Sequence, residues 1–266
     1  MKIAIVGCGN MGMAFARSFL QYDLVKKEDL LLIEKSQERS EALRTAKEGM
    51  VVSVINSQIA DYELIILSVK PQDFASVQDE LRAVIQPQQV VLSIMAGVPM
   101  SKIQTVLDHK LVVRAMPNTP AMLGMGITGF TASPEVDAPK LRKVENLINA
   151  TGRSVYLEDE GMIDAVTALS GSGPAYFYYI VKHMIEAGKK MGFDEGMASL
   201  LVKQTMLGSY HLINNAEQSL DDLIKAVASK GGTTEAALRT FEENNIPEGI
   251  SKGILAAENR AKELSK

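Results

Sequence analysis

Two short glycine-rich stretches hold the groups of this sequence that could do chemistry. Gly7-Cys8-Gly9-Asn10-Met11-Gly12 has the spacing G-x-G-x-x-G. In that pattern the first glycine permits a tight turn, the second lets the backbone touch a pyrophosphate, and the third lets a helix lie close to a strand. Amides at the start of the following helix would then hold the phosphates. Near the other end, Ser229-Lys230-Gly231-Gly232-Thr233-Thr234 feeds a second helix start. Its amides, with the Thr233 and Thr234 hydroxyls, could hold an anion such as a carboxylate. The same residues would equally serve as a plain helix-helix turn capped by Thr233.

Three further turns border the first stretch. Glu34-Lys35 stands about twenty residues beyond the fingerprint, where an acid holds the ribose hydroxyls of NAD and a base accommodates the extra phosphate of NADP. The two side chains act in opposite directions, so NADH and NADPH stay balanced on this dipeptide. Ser68-Val69-Lys70-Pro71 and Ser93-Ile94-Met95-Ala96-Gly97 each close an apolar run, and ligands of open α/β sheets bind at such carboxyl ends. Lys70 is assigned to cofactor contact and not to chemistry. Cys8 occupies a variable position of the fingerprint and is read as structural.

The elements that must position these residues are visible as periodicity. Ile3–Val6, Leu30–Ile33, Leu64–Leu67, Val90–Leu92 and Leu111–Val113 are continuous apolar runs separated by amphipathic stretches, the mark of buried parallel strands in a βαβ series. A looser pair, residues 126–131 and 154–157, with a helix from about Pro139 to Asn149 between them, is expected to complete the sheet. After Gly161 apolar residues recur every three or four positions, as in Phe177, Ile180, Val181, Met184 and Ile185, which predicts helices. Pro174 suits a first helical turn, Ser219 with Asp222 forms a capping box, and Thr205, Gly208 and Ser209 suggest close helix packing. The expected architecture is a doubly wound α/β dinucleotide-binding domain over residues 1–160, followed by an all-helical domain over 161–266.

Composition narrows the function classes. The chain has 266 residues, 46% hydrophobic and 23% charged, with a formal net charge of -4. That excludes intrinsic disorder and offers no basic footprint for nucleic acid, and no apolar run is long enough to span a membrane. A single cysteine rules out an internal disulfide, and the strand pattern starting at Lys2 suggests no leader, so a cytoplasmic location is expected. His109, His183 and His211 lack metal-ligand spacing, and no metal is expected. A regular helical array of this kind suggests a homodimer or a multiple of one.

The sequence resembles the pyrroline-5-carboxylate reductases over essentially its whole length. The matching pieces are Gly7–Gly12, Val69-Lys70-Pro71, Ala96-Gly97, Arg114–Pro120, Asp164–Tyr176 and Gly231–Thr234. The first is generic to dinucleotide binders; the last three together are specific. The resemblance implies a Rossmann-like domain, a helical dimerisation domain, and an active site needing both domains from different subunits of the homo-oligomer. It also implies reduction of 1-pyrroline-5-carboxylate to L-proline by NADPH or NADH, the last step of proline biosynthesis. By the same resemblance Ser229, Gly231, Gly232 and Thr233 grip the substrate carboxylate, and Thr234 sits beside the ring nitrogen as the catalytic residue. Asn56 resembles a family residue near the adenosine ribose, and Asn118 falls in a matching piece and is assigned to the cofactor. Two departures stand out: Lys230 replaces the family proline, and Glu34 stands where many members carry a neutral residue.

A protonated cyclic imine is already electrophilic, so orientation can supply most of the rate, consistent with the lack of a candidate His or paired carboxylates. Two other readings follow from the same pattern. A hydroxyacid dehydrogenase would need a lysine base, for which Lys182 or Lys189 could be nominated. A non-catalytic nucleotide-binding module would keep the first stretch and lose the chemistry of the second.

Overall fold

A computed structural model describes residues 1–265. Contacts divide the chain into two units: Met1–Pro174 together with the segment from Ala257 onward, and Ala175–Ala256.

The first unit is built on one eight-stranded sheet of order β3-β2-β1-β4-β5-β6-β7-β8. Its strands are β1 (Ile3–Val6), β2 (Leu30–Ile33), β3 (Met50–Val52), β4 (Leu64–Leu67), β5 (Val90–Ser93), β6 (Val112–Met116), β7 (Gly126–Ala132) and β8 (Gly152–Tyr156). β1 to β6 are mutually parallel, β7 runs antiparallel to β6, and β8 is parallel to β7. β3, too short and too exposed to show as an apolar run, extends the expected set.

Successive residues of a strand face opposite sides, and both sides are packed. Ile3, Ile5, Leu30, Leu32 and Ile66 join one buried cluster, while Ala4, Val6, Leu31, Ile65 and Leu67 join the other. The helices α1 (Asn10–Gln21), α2 (Gln37–Ala46), α3 (Gln78–Val84), α4 (Met100–Leu107) and α5 (Ala138–Asn149) complete the doubly wound arrangement. The strand order reverses at β1, which lies between β2 and β4. Ligands of open α/β sheets bind beyond the carboxyl ends at such a point.

By contacts, residues 161–174 group with the first unit. They form α6 (Met162–Val166) and a π turn, Thr167–Gly171. The reason is long-range: Asp164 pairs with Arg114 of β6, and Val166 fills the space beside Gly129 of β7.

The second unit is helical. α7 (Gly173–Lys190), α8 (Glu195–Asn215), α9 (Leu220–Val227), α10 (Thr233–Glu243) and α11 (Ile246–Leu264) supply its secondary structure. Asp194 caps α8 and Ser219 caps α9, the latter through the Asp222 amide as the capping pattern requires. The glycine that lets two helices approach is Gly188, where a Cβ would lie 3.0 Å from Ala198; Gly208 faces open space in the single chain. Among the described residues of 175–256, Ala198 is the one buried hydrophobic residue. No described helix is long and apolar enough to cross a membrane.

Candidate functional site

The fingerprint turn joins β1 to α1 at the carboxyl edge of the sheet. Gly7 has φ +93°, and a Cβ there would lie 2.8 Å from the Val69 amide nitrogen. A Cβ on Gly12 would fall onto the Gly7 carbonyl, so only glycine lets α1 pack this close to the strand. Gly9 differs, because a Cβ there would meet nothing nearer than Arg39 Nη1 at 4.0 Å. As N-cap of α1 it makes no side-chain cap, which leaves the first amides of the helix facing an open cradle. Those features fit a pyrophosphate.

Two cavities meet over this turn. The larger, about 810 Å³, is lined by Asn10, Met11, Pro71, Ile94, Ala96 and Met122 among others. The smaller, about 420 Å³, is lined by Gly7, Glu34, Lys35, Ser36, Ser53 and Val54 among others. Gly9, Arg39, Ser68, Val69 and Lys70 border both. A groove running over a helix N-terminus from one cavity into the other suits an extended dinucleotide.

Glu34 is buried at the end of β2, and each of its carboxylate oxygens is held. Oε2 accepts from the Cys8 amide at 3.2 Å and Oε1 from the Ser36 amide at 2.9 Å. Arg39 reaches to 3.8 Å of Oε2. The Cys8 thiol lies against the Ile5 and Ile33 carbonyls. Burial first, and the Glu34 charge second, push its pKa up to about 12, so it stays protonated and unreactive at neutral pH.

The loop between α9 and α10 lies in the second unit. Gly231 has φ +74°, a conformation that favours glycine, and Gly232 is the N-cap of α10. The Gly232 amide donates to the Ser229 carbonyl at 2.9 Å, and the Gly231 amide donates to Glu235 Oε2 at 2.6 Å. One loop amide thus already holds a carboxylate, that of the chain itself. Thr234 is half-buried in the first turn of α10, while Lys230 is exposed.

The helical unit matches the family model described as pyrroline-5-carboxylate reductase dimerisation over residues 160–264. Residues 2–97 match one described as NADP oxidoreductase coenzyme F420-dependent. The pyrroline-5-carboxylate reductase of Vibrio alginolyticus is 37% identical, covering 100% of this chain and 98% of its own. That of Pseudomonas aeruginosa is 35% identical, covering 99% of this chain and 97% of its own. The chain belongs to the pyrroline-5-carboxylate reductase family.

Solved members of that family share its fold. The reductase of Coxiella burnetii superposes with a TM-score of 0.89 at 31% identity, covering 100% of this chain and 98% of its own. The Plasmodium falciparum reductase, crystallised with NADP bound, gives 0.90 at 26% identity with the same coverages.

Of the residues expected at the cofactor, Cys8, Gly9, Asn10, Met11, Ser68, Val69, Lys70, Pro71 and Ala96 line the larger cavity. Gly7, Glu34 and Lys35 line the smaller one, and Gly12 packs beneath the turn. Three sit apart from both linings. Asn56 caps a 3-10 turn by accepting from the Gln58 amide at 2.9 Å. Gly97, at φ +69°, is packed against Leu264. Asn118 bridges β7 and the π turn, accepting from the Ile127 amide and donating to Ser170 Oγ at 3.3 Å. Lys182 and Lys189, the nominees for a dehydrogenase base, are exposed and paired with Glu186 and Glu195.

The sequence alone assigned no role to Arg39 or to a buried cluster around Arg114. Arg39 has a sequence signal, being a cation in the first turn of the helix that follows Glu34. Arg114 lies in β6 with a side chain 3% exposed, donating to Glu160 at 3.0 Å and to Asp164 at 3.1 Å. Glu160 also accepts from the Met100 amide at 2.7 Å, and Ser265 Oγ donates to Asp164 at 2.9 Å. One guanidinium therefore ties together β6, the loop into α4, α6 and the end of α11. Its sequence signal was an arginine directly after the apolar run Leu111–Val113, without a partner in sight.

Proposed function

We propose that this protein reduces 1-pyrroline-5-carboxylate to L-proline with NADH or NADPH, the last step of proline biosynthesis. The observation that carries the reading is the full-length match to reductases of that name at 35% and 37% identity. When bound, the nicotinamide supplies the hydride that the imine carbon accepts.

The chain's own residues bind and orient. The α1 amides and Gly9 seat the pyrophosphate, and the turns at Ser68–Pro71 and Ala96 border the nicotinamide end. Ser229, Gly231, Gly232 and Thr233 hold the substrate carboxylate through amides and hydroxyls. The Gly231 amide, satisfied by Glu235 in the free chain, supports this assignment. The Thr234 hydroxyl orients the ring nitrogen and carries a proton to or from it. Asn56, Gly97 and Asn118 complete the proposed cofactor site, an assignment supported by the likeness to the family. The substrate iminium is already protonated, so alignment does most of the work.

The protein is proposed to act in the cytoplasm as a homodimer or a multiple of one. The family description of residues 160–264 as a dimerisation region and the lack of a core in 175–256 both support the oligomer.

The test mixes purified protein with pyrroline-5-carboxylate and either reduced cofactor, following nicotinamide absorbance and proline formation. Stoichiometric oxidation and proline are expected; no turnover with either cofactor would overturn the reading. Thr234→Ala is expected to lower kcat/KM by about 10–100-fold, the loss of one hydrogen bond to a charged group. Full efficiency in that variant would remove Thr234 from the mechanism.

A further inference from the structure

We propose that this reductase selects NADH over NADPH, with the Glu34 carboxylate as the discriminating group. The inference rests on the groove being the dinucleotide site proposed above.

Glu34 is 6% exposed and forms part of the wall of the smaller cavity, alongside Ser36, Ser53 and Val54. Its carboxylate is locked in place by the amides of Cys8 at 3.2 Å and Ser36 at 2.9 Å. Turning it away would leave both amides unpaired, one of them on a buried residue, so the charge cannot leave cheaply. A carboxylate offers about four acceptor positions. Two are taken by the amides, and the rest suit donors, which a ribose with free 2′ and 3′ hydroxyls provides. A 2′-phosphate provides none at neutral pH and brings close to two negative charges against a fixed buried one.

Every charged group on that wall bears on the outcome. Asp73 and Glu80 add acids; Lys35, Lys70 and Arg39 add bases. The formal count is even, and burial breaks the tie. Lys35 and Lys70 are exposed, and the Arg39 side chain is 61% exposed, so their fields are screened by water and salt while that of Glu34 is not. Arg39 is moreover committed, lying 3.8 Å from Glu34 Oε2 and 4.0 Å from the position a Gly9 Cβ would take. At that distance and exposure it offsets the Glu34 charge only weakly, and it faces the pyrophosphate cradle. The Plasmodium falciparum relative was crystallised with NADP, so the proposal separates this chain from that member.

The test titrates NADH and NADPH into the full-length protein without substrate, reading Kd from nicotinamide fluorescence, and then compares kcat/KM for the two with pyrroline-5-carboxylate. NADH is expected to bind about tenfold or more tightly than NADPH, equivalent to one decade in the equilibrium constant. Glu34→Gln and Glu34→Ser are each expected to move the Kd ratio toward NADPH by a similar factor. Wild-type protein that binds NADPH as well as NADH overturns the inference without any variant, as does an unchanged ratio in whichever variant folds. Selective NADH binding without proline formation would overturn the proposed reaction and leave this inference standing. Proline formation with a preference for NADPH would do the reverse.

Discussion

At the scale of single residues, the fingerprint glycines divide by what surrounds them. Gly7 and Gly12 hold the fold together, because a Cβ at either would collide with backbone. Gly9 does not, since it has extended backbone and open space before it. Gly9→Ala is therefore expected to cost only about 1 kcal/mol, the difference between glycine and alanine at an N-cap, which lowers Tm by a few degrees at this size. The added methyl enters the pyrophosphate cradle, so cofactor Kd is expected to rise about tenfold or more. Calorimetry of unfolding and a cofactor titration on the same sample check both halves. Unimpaired binding would mean that the phosphates lie elsewhere. Burial explains Cys8 in the same way: a thiol that stays protonated fills space beside the turn and takes no part in exchange.

At the scale of elements, two buried polar clusters tie distant segments together. Arg114 carries one positive charge against two carboxylates that come 46 and 50 residues later. Arg114→Ala would leave Asp164 and Glu160 facing each other without a cation, and a cost of about 3–5 kcal/mol is expected. Arg114→Lys should lose less, because it keeps the charge while giving up the planar fork that reaches both acids. Denaturant unfolding of the two variants measures the difference; equal stability to the parent would show that the cluster contributes nothing.

His109, in the turn between α4 and β6, bonds through Nε2 to the Gln89 carbonyl at 2.8 Å, and Gln89 in turn donates to the Ile59 and Tyr62 carbonyls. A carbonyl only accepts, so Nε2 carries the proton. Burial holds the His109 pKa below its ordinary 6.5. A group with a depressed folded pKa contributes stability above its unfolded value and loses it as pH falls. Stability should thus decline from about pH 6.5 downward as the unfolded chain takes up a proton that the native imidazole refuses. A melting series across that range on the parent and His109→Gln tests this, with a flatter slope expected in the variant. Identical slopes would assign the acid sensitivity to other groups.

At the scale of the whole molecule, the helical unit cannot be stable as an isolated surface. α7 and α8 expose Phe177, Tyr178, Tyr179, Leu200 and Leu207, and Ala198 alone among the described hydrophobic residues of 175–256 is buried. Apolar area on this scale is covered by association in a soluble protein. Light scattering is expected to give a dimer or a multiple of one. Leu200→Asp with Leu207→Asp, which adds two charges to the exposed apolar face of each chain, should dissociate it and abolish turnover. A fully active monomer would remove the oligomer from the functional account.

Much of this protein was legible in the order of its residues. Apolar runs of three or four announced the buried strands, the spacing of Gly7, Gly9 and Gly12 announced the turn, and Ser219 with Asp222 announced a helix start, because each is a local pattern with a local cause. Local patterns also balanced Glu34 against Lys35 and left Arg114 without a role. Only the packed chain decided those points. It buried one charge of the Glu34–Lys35 pair and exposed the other, and it carried residues 161–174 onto the sheet through a salt bridge that no periodicity encodes. Burial and long-range pairing belong to the topology, and there the effective strength of a charge is set.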